Sequence, residues 1–329
     1  MYQPDKKDTI VAIATPLGPG GVGIVRLSGK NSLNLALRLF TSAKNNFQGV
    51  KPYRLHHGWI KDFQGRTLDE VLLSFMPGPG SYTGEDVVEI NCHGGPAILQ
   101  SLVDALIKMG ARPAEPGEFT FRAFLNGRLD LTQAEAVAEM ITAPTRASIS
   151  LAQTKLKGML GQKISELRSK LESLRQDLCV AVDFPEEDIE CLPREHLIQK
   201  VRDCVEEIDE LINNYNQEHI WQDGALVVLA GRVNAGKSSL LNALLGRERA
   251  IVTDIPGTTR DYLEESINLQ GLPVRLVDTA GLRKTNDIVE KEGFLRGQEL
   301  IKKADLCLTI IDSRLGPGSE DRDILKKVA

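Results

Sequence analysis

The sequence predicts a multidomain α/β protein in three parts: an N-terminal α+β domain, a central helical bundle domain, and a P-loop (Ras-like) α/β domain that is incomplete within this span. Three observations predict it. The texture of the 329-residue chain changes twice, from Gly- and Pro-rich alternating segments, to a nearly Gly-free helical stretch, to strand–loop–helix alternation. Residues 231–238, GRVNAGKS, fit G-x-x-x-x-G-K-[ST] where a predicted strand meets a predicted helix. The length also exceeds what one ordinary hydrophobic core supports.

Residues 1–125 form the first part. Thr9–Ala14, Ile24–Leu27, His56–Ile60, Glu70–Phe75 and Val87–Asn91 read as strands, and Ser32–Phe40 and Pro96–Met109 as helices. Residues 126–218 form the second. There Thr132 with Glu135 has the spacing of a capping box, in which each side chain satisfies an orphan amide at the helix start. Leu156, Leu160, Ile164, Leu167, Leu171, Leu174 and Leu178 recur at spacings of three and four, an apolar stripe suited to helix–helix packing. Pro185 disfavours helical backbone at Phe184, so that helix is expected to stop there.

Residues 219–329 form the third part. Ala225–Ala230 reads as a continuous apolar strand and Ser239–Leu245 as a helix. Leu263–Asn268 and Val274–Val277 read as a hairpin around Gln270-Gly271. Ile288–Lys303 follows as a helix and Leu306–Ile311 as another buried strand.

Composition narrows the function classes. A net charge of −5 and a pI near 5.7 argue against general nucleic-acid affinity, so any RNA contact needs a local basic patch. Cys92, Cys179, Cys191, Cys204 and Cys307 are scattered without a C-x-x-C pair and read as reduced structural thiols. No apolar run approaches the ~20 residues of a membrane span. The N-terminus has neither an apolar signal core nor transit character, so a cytoplasmic location is expected.

The chemistry concentrates between residues 225 and 281. In GRVNAGKS the glycines let backbone amides curl around a β-phosphate, and the following helix N-terminus adds positive potential. Lys237 is expected to reach the β- and γ-phosphates, with the Ser238 hydroxyl on Mg²⁺. Asp278-Thr279-Ala280-Gly281 follows a second apolar strand, placing a carboxylate to hold Mg²⁺ through water and a flexible amide near the γ-phosphate. Between them, Gly257-Thr258-Thr259-Arg260-Asp261 is a polar loop whose Thr259 hydroxyl suits the Mg²⁺ shell. Where Ras-like enzymes have a water-orienting Gln after the motif glycine, this chain has Leu282, which cannot orient water.

On GRVNAGKSSLLNALL (231–245), AIVTDIPGTTRD (250–261) and DTAGLR (278–283), the chain resembles the MnmE (TrmE) family of tRNA-modifying GTPases. The resemblance extends upstream in order through GGVGIVRLSG, SYTGEDVVE, HGGPAIL, PGEFTFRAFLNGRLDLTQAEA and VAVDFPEEDIE, over essentially the whole chain. It implies a homodimer that hydrolyses GTP when two G domains meet, activated by K⁺. It implies work with the flavoprotein MnmG, as a heterotetramer, to install an aminomethyl or carboxymethylaminomethyl group on C5 of the wobble uridine of certain tRNAs. The N-terminal domain would dimerise and bind a tetrahydrofolate derivative, 5-formyl- or methylene-tetrahydrofolate, as one-carbon donor, and the G domain would be inserted into the helical domain.

Carried over position by position, Asn234 becomes a K⁺ ligand together with the Thr253 and Ile255 carbonyls and Thr258. A fixed cation beside the phosphates can stabilise transition-state charge, the task of an arginine finger elsewhere. Glu290 takes the water-orienting role that Leu282 cannot. The resemblance also places Ala235, Gly236, Ser239, Asp254, Pro256, Gly257, Thr279 and Ala280 around the nucleotide with Lys237, Ser238, Thr259, Asp278 and Gly281. In the first domain it maps folate binding onto Arg26, Glu89 and Arg128: two cations for the ligand's carboxylates and one acceptor for pterin N–H groups. Each of these alone more often serves as a surface or salt-bridge residue.

The chain departs from the family pattern at Val233, where proline is common, and at Arg128, where lysine is frequent. No N-K-x-D follows Ile311-Asp312, so guanine specificity rests on the resemblance. The closing helices and C-terminal cysteine motif are expected beyond Ala329, with weak GTP binding and incomplete modification activity in this span alone. Two rivals stay open at this stage: a regulatory P-loop GTPase switch in ribosome or RNA assembly, and an ATPase or kinase. Two leads are set aside. Residues 18–23 match G-x-G-x-x-G, but a strand follows where a dinucleotide fold needs a helix. Cys92-His93 reads as a turn after a strand and not as a nucleophile.

Overall fold

The computed structural model describes residues 8–183, 193–232, 235–248, 264–278, 300, 302–318 and 322. The chain divides into two compact units, Met1–Glu135 and Ala136–Ala329.

The first unit is built on a seven-stranded sheet. Its strands are β1 (Ile10–Ile13), β2 (Gly20–Ser28), β3 (Phe40–Ser42), β4 (Leu55–Lys61), β5 (Thr67–Met76), β6 (Val87–Gly94) and β7 (Arg112–Pro113), in the order β3-β4-β5-β6-β2-β1-β7. All pairings are antiparallel except β1 with β7. Alternation along β5 decides which face is which: Val71, Leu73 and Phe75 are buried, whereas Leu72 is exposed. Helices α1 (Ser32–Leu39) and α2 (Pro96–Lys108) cover the buried face, α2 contributing Leu99, Leu102, Val103 and Leu106. Fully burying a leucine contributes about 1.5–3 kcal/mol. Pro96 at the start of α2 and Gly110 (φ 106°) just past it follow the rule that proline opens and glycine closes a helix. The opposite face carries Arg26, Glu89, His57 and Trp59. A third helix, α3 (Glu118–Leu125), which the apolar periodicity does not predict, brings Phe119 to Arg26 on this face.

Helix α4 (Leu131–Thr142) does not start on a Thr132–Glu135 box. The box lies two residues earlier: Asp130 Oδ1 accepts from the Gln133 amide at 2.8 Å, and Gln133 Oε1 accepts from the Asp130 amide at 2.9 Å. Thr132 instead donates to Asp130 at 2.7 Å, so its hydroxyl already has a partner in the cap.

In the second unit, α5 (Arg146–Leu156) ends before Gly158, whose φ of 77° breaks the predicted stripe before α6 (Met159–Asp183) begins. Helix α7 (Arg194–Asp223) packs on α6 through Leu167, Leu174 and Cys204, with Leu197 and Leu211 at the margin. Only part of the stripe is buried. Ile164, Leu171 and Leu178 keep 48%, 45% and 48% of their surface, because a two-helix contact covers one side of a wide apolar face. The stretch 184–192 around Pro185 lies outside the described residues.

The unit's sheet has the order β11-β8-β10-β9, from β8 (Ala225–Ala230), β9 (Glu264–Leu269), β10 (Leu272–Asp278) and β11 (Leu306–Thr309). Strand β8 is parallel to both β10 and β11 and buried at every residue, as an interior parallel strand requires. The β9–β10 turn has positive φ at both Gln270 (53°) and Gly271 (97°), the type I′ geometry that matches strand twist. Strand β11 is not buried as its apolar run suggests. Leu306 is 51% exposed because β11 is the outer strand among the described residues.

Candidate functional site

The phosphate-type loop lies at the carboxyl end of β8, where open α/β sheets bind ligands. Gly231 has φ 145°, and a Cβ there would stand 2.4 Å from the Ile310 carbonyl oxygen, so only glycine lets the loop leave the sheet this close to the chain after β11. Gly236 (φ 100°) turns the backbone into α8 (Lys237–Glu248), with open space where a Cβ would sit. Lys237 is 4% exposed, and its Nζ donates to the Gly231 and Arg232 carbonyls at 2.9 and 2.6 Å. The ammonium is therefore held inside the curl of the loop. Ala235 is half-buried, and Ser238 and Ser239 are exposed on the first turn of α8. Asp278 ends β10 in register with Leu229, so its backbone stands beside the strand that feeds the loop.

Several predicted site residues lie outside the described residues: Asn234, Thr253, Asp254, Ile255, Pro256, Gly257, Thr258, Thr259, Thr279, Ala280, Gly281 and Glu290.

In the first unit, Arg26 and Glu89 are brought together as cross-strand partners of β2 and β6. Arg26 Nε and Nη2 reach Glu89 Oε1 at 2.8 and 2.7 Å. The guanidinium carbon also lies 5.9 Å from the Tyr82 ring centre and 5.6 Å from that of Phe119, within cation–π range of both. Tyr82 OH and Thr120 Oγ1 are 2.8 Å apart, joining the loop 77–86 to α3. Arg128 is exposed and borders that loop: a Cβ at Gly84 (φ 80°) would lie 3.2 Å from its Cγ. The rings of Tyr82 and Phe119 have no role in the sequence reading, although both lie in the family motifs SYTGEDVVE and PGEFTFRAFL. Aromatic residues in turn-rich stretches give no periodic signal, and only the fold reveals that they flank Arg26.

Behind these rings lies an ionic cluster. Arg112 donates to Asp8 at 2.7 Å and to Glu118 at 2.6 and 3.1 Å. Arg122 meets Asp8, Glu85 and Glu118. Burial alone would raise the Asp8 carboxyl, yet hydrogen bonds from Arg112 and Arg122 hold it below its ordinary value. Glu118 behaves alike: burial opposes ionisation, and Arg112, the Glu115 amide and Arg122 outweigh it.

Cys92 and His93 are not in a turn, because β6 continues to Gly94. Neighbours on a strand point to opposite faces, which separates the two side chains chemically. Cys92 faces the core, where burial and then the charge of Asp69 push its thiol up to about 12. His93 Nδ1 lies 2.7 Å from Asp69 Oδ1, and this hydrogen bond and the charge behind it raise the imidazole above its usual value. No group of three metal-ligating side chains occurs among the described residues, and none of their helices is long and apolar enough to cross a membrane.

Two family models match. Residues 9–128 fit "GTP-binding protein TrmE N-terminus", and residues 131–320 fit "MnmE helical domain". Among curated relatives, the tRNA modification GTPase MnmE of Nitratidesulfovibrio vulgaris is 56% identical over 319 residues, 97% of this chain and 70% of that protein. The tRNA modification GTPase MnmE of Lawsonia intracellularis is 50% identical over 96% of this chain and 69% of its own length. That of Carboxydothermus hydrogenoformans is 46% identical over 98% and 70%. The chain thus spans about 70% of the length of these relatives.

Proposed function

The chain belongs to the MnmE family of tRNA modification GTPases, and from that premise we propose that it hydrolyses GTP in the service of tRNA modification, with a tetrahydrofolate-derived one-carbon unit. The observation that carries the reading is the loop around Lys237, a phosphate cradle at the carboxyl end of a central parallel strand. The product is a modified C5 position on the wobble uridine of certain tRNAs, made by a homodimer together with the flavoprotein MnmG. The reading divides the chain at 1–125 for folate binding and dimerisation, 126–218 for the first part of the helical domain, and 219–329 for the G domain.

The described residues fit a nucleotide's phosphates. Gly236 leaves its Cβ space open, α8 begins there with its first amides, and Lys237, held by the Gly231 and Arg232 carbonyls, supplies a cation beside that turn. Ser238 on the first turn of α8 and Thr259 would hold Mg²⁺, which neutralises phosphate charge when bound. Asp278 would steady it through water. Asn234, Thr253, Ile255 and Thr258 are assigned to K⁺, and Glu290 orients the attacking water in place of a glutamine. In the first unit, Glu89 offers a carboxylate to pterin N–H groups. Arg128 offers a guanidinium to the acidic tail, and Arg26, paired with Glu89 and beside Tyr82 and Phe119, belongs to the end that takes a flat heteroaromatic ring.

The deciding experiment compares GTP hydrolysis in K⁺ and Na⁺ at equal ionic strength. The reading expects hydrolysis about tenfold or more faster in K⁺, and Glu290→Ala to lower turnover with GTP affinity kept. Equal rates in both salts would remove the K⁺ assignment. A preference for ATP over GTP would overturn the GTPase reading itself.

A further inference from the structure

Arg122 lies on α3 with 2% of its surface exposed. Its guanidinium touches carboxylates from three separate segments. Nη2 donates to Asp8, just before β1. Nη1 donates to Glu85 at 3.1 and 3.3 Å, and Glu85 belongs to the loop that carries Tyr82. Nε and Nη2 donate to Glu118 at 3.3 and 3.0 Å, one turn back on the helix that carries Phe119 and Thr120. Glu85 Oε2, which accepts the shorter Arg122 bond, also accepts from Ser28 Oγ at 2.7 Å, and Ser28 lies on β2, the strand of Arg26.

We propose that Arg122 is the positioning residue of the Arg26–Glu89 site: by tying Glu85 to Glu118 it sets the gap between the Tyr82 loop and the Phe119 helix, and so the width of the slot in which a flat ligand ring is received. The inference rests on the reading of this site as the folate site. It is carried by a geometric coincidence. The two rings that flank Arg26 sit on two different segments, and two of the three carboxylates that share Arg122, Glu85 and Glu118, sit on the same two segments. Two other hydrogen bonds join those segments, Tyr82 OH with Thr120 Oγ1 at 2.8 Å and Asn126 Nδ2, at the end of α3, donating to the Thr83 carbonyl at 2.8 Å, but neither bridges two carboxylates as Arg122 does. Lysine cannot replace Arg122 here, because an ammonium lacks the planar fork that serves three carboxylates at once. Lysine would keep the charge and lose the geometry, which makes it the informative substitution.

The test uses the full chain in two measurements. Calorimetric titration with 5-formyl-tetrahydrofolate compares the unmodified protein, R122K, F119A and the double variant. R122K is expected to weaken binding about tenfold or more, and to weaken it little further once F119A has removed the ring, since both act through the same wall. Equal losses in both backgrounds would overturn the inference, because a general loss of stability is additive. Hydrogen exchange then reads positioning without ligand. R122K should speed exchange in residues 81–86 and 118–125 and leave β4 and β5 unchanged. Faster exchange across the whole sheet, or none in either segment, would refute a positioning role. If R122K does not fold, E85Q removes the charge that ties the loop to Arg122 while Arg122 keeps Asp8 and Glu118, and it is read in the same way, with S28A as the control for the Ser28 bond that Glu85 also accepts. R26A separates the two claims: no folate binding by the unmodified chain, or binding indifferent to R26A, removes the folate reading, while the exchange arm still judges Arg122.

Discussion

Replacing Gly231 by alanine asks whether this loop glycine is required by the fold or by a ligand. Its φ of 145° is disfavoured for any side chain, and the added Cβ would meet the Ile310 oxygen at 2.4 Å and the Ile310 carbon at 3.3 Å. Ordinary contact begins near 3.4 Å, so the backbone after β11 would have to retreat by about 1 Å. Retreat strains the Ile310 N–H bond to Ala230, which is 2.8 Å long. Strained backbone costs about 1–3 kcal/mol and overpacking another ~1–3, so a loss of about 2–6 kcal/mol is expected. Gly236→Ala provides the contrast. It carries φ 100° with nothing within 4 Å, so only the conformational part applies, about 1–3 kcal/mol. Urea unfolding followed by Trp221 fluorescence in a Trp59→Phe background reports the second unit. With a slope of about 2 kcal/mol per molar, G231A should unfold about 1 M earlier than G236A. G236A should show the larger loss of nucleotide affinity per unit of stability lost, because it alters the turn that presents the first amides of α8. Equal midpoints for the two variants would show that the close approach to Ile310 does not matter.

Two further outcomes follow from the first unit. Asp8 and Glu118 titrate below their ordinary values of 3.8 and 4.5, so their contribution is complete above those values and lost as pH falls through the lower folded ones. Exchange protection of β1 and α3, corrected for intrinsic rates, should therefore hold from neutral pH down to about 5 and decline below about 4; protection that survives to pH 2 would refute the ionic account. Cys92, buried and pushed up to about 12, should resist alkylation at pH 8 in the native protein while the exposed Cys179 reacts, as peptide mass mapping would show.

Five strands and the two covering helices of the first unit are legible because each carries a period, whereas Phe40, read as the end of a helix, opens β3. Val71, Leu73 and Phe75 alternate with polar or exposed neighbours, and Leu99, Leu102, Val103 and Leu106 repeat at helical spacing. The elements that escaped are short or ruled by tertiary contacts. Strand β7 is two residues long, and the inner side of α3 is made of Glu118 and Arg122, whose burial is satisfied only by distant partners such as Asp8. Charged residues at i and i+4 read as a solvated face, and nothing local distinguishes a buried pair from an exposed one. The cap at Asp130 was misread for a related reason: the sequence DLTQAE offers two overlapping boxes, and only the path into α4 selects between them. For the site, the GRVNAGKS motif sufficed to locate Lys237, since its chemistry is local. The resemblance marks Arg26 and Glu89 separately, and their partnership depends on the β2–β6 register, which the sequence does not reveal.

The two sites share one physical economy, in that each principal cation already has partners. A bare ammonium with 4% of its surface exposed would bear a large desolvation cost, and the Gly231 and Arg232 carbonyls offset it. Carbonyls anchor the lysine without neutralising it, so a phosphate arriving there meets a charge already in position and little side-chain entropy remains to be lost. Arg26 is held differently, by the charged Glu89 and between two rings. That pairing lowers the local net charge and leaves a hydrogen-bonding edge framed by aromatic faces, which favours a planar heterocycle over a simple anion. The difference explains why the phosphate loop is visible as a short motif and the other site is not. A loop that binds through its own backbone needs glycines at fixed spacing, whereas a slot between Tyr82 and Phe119 needs two segments held apart, and the residue that holds them is buried where no ligand reaches it.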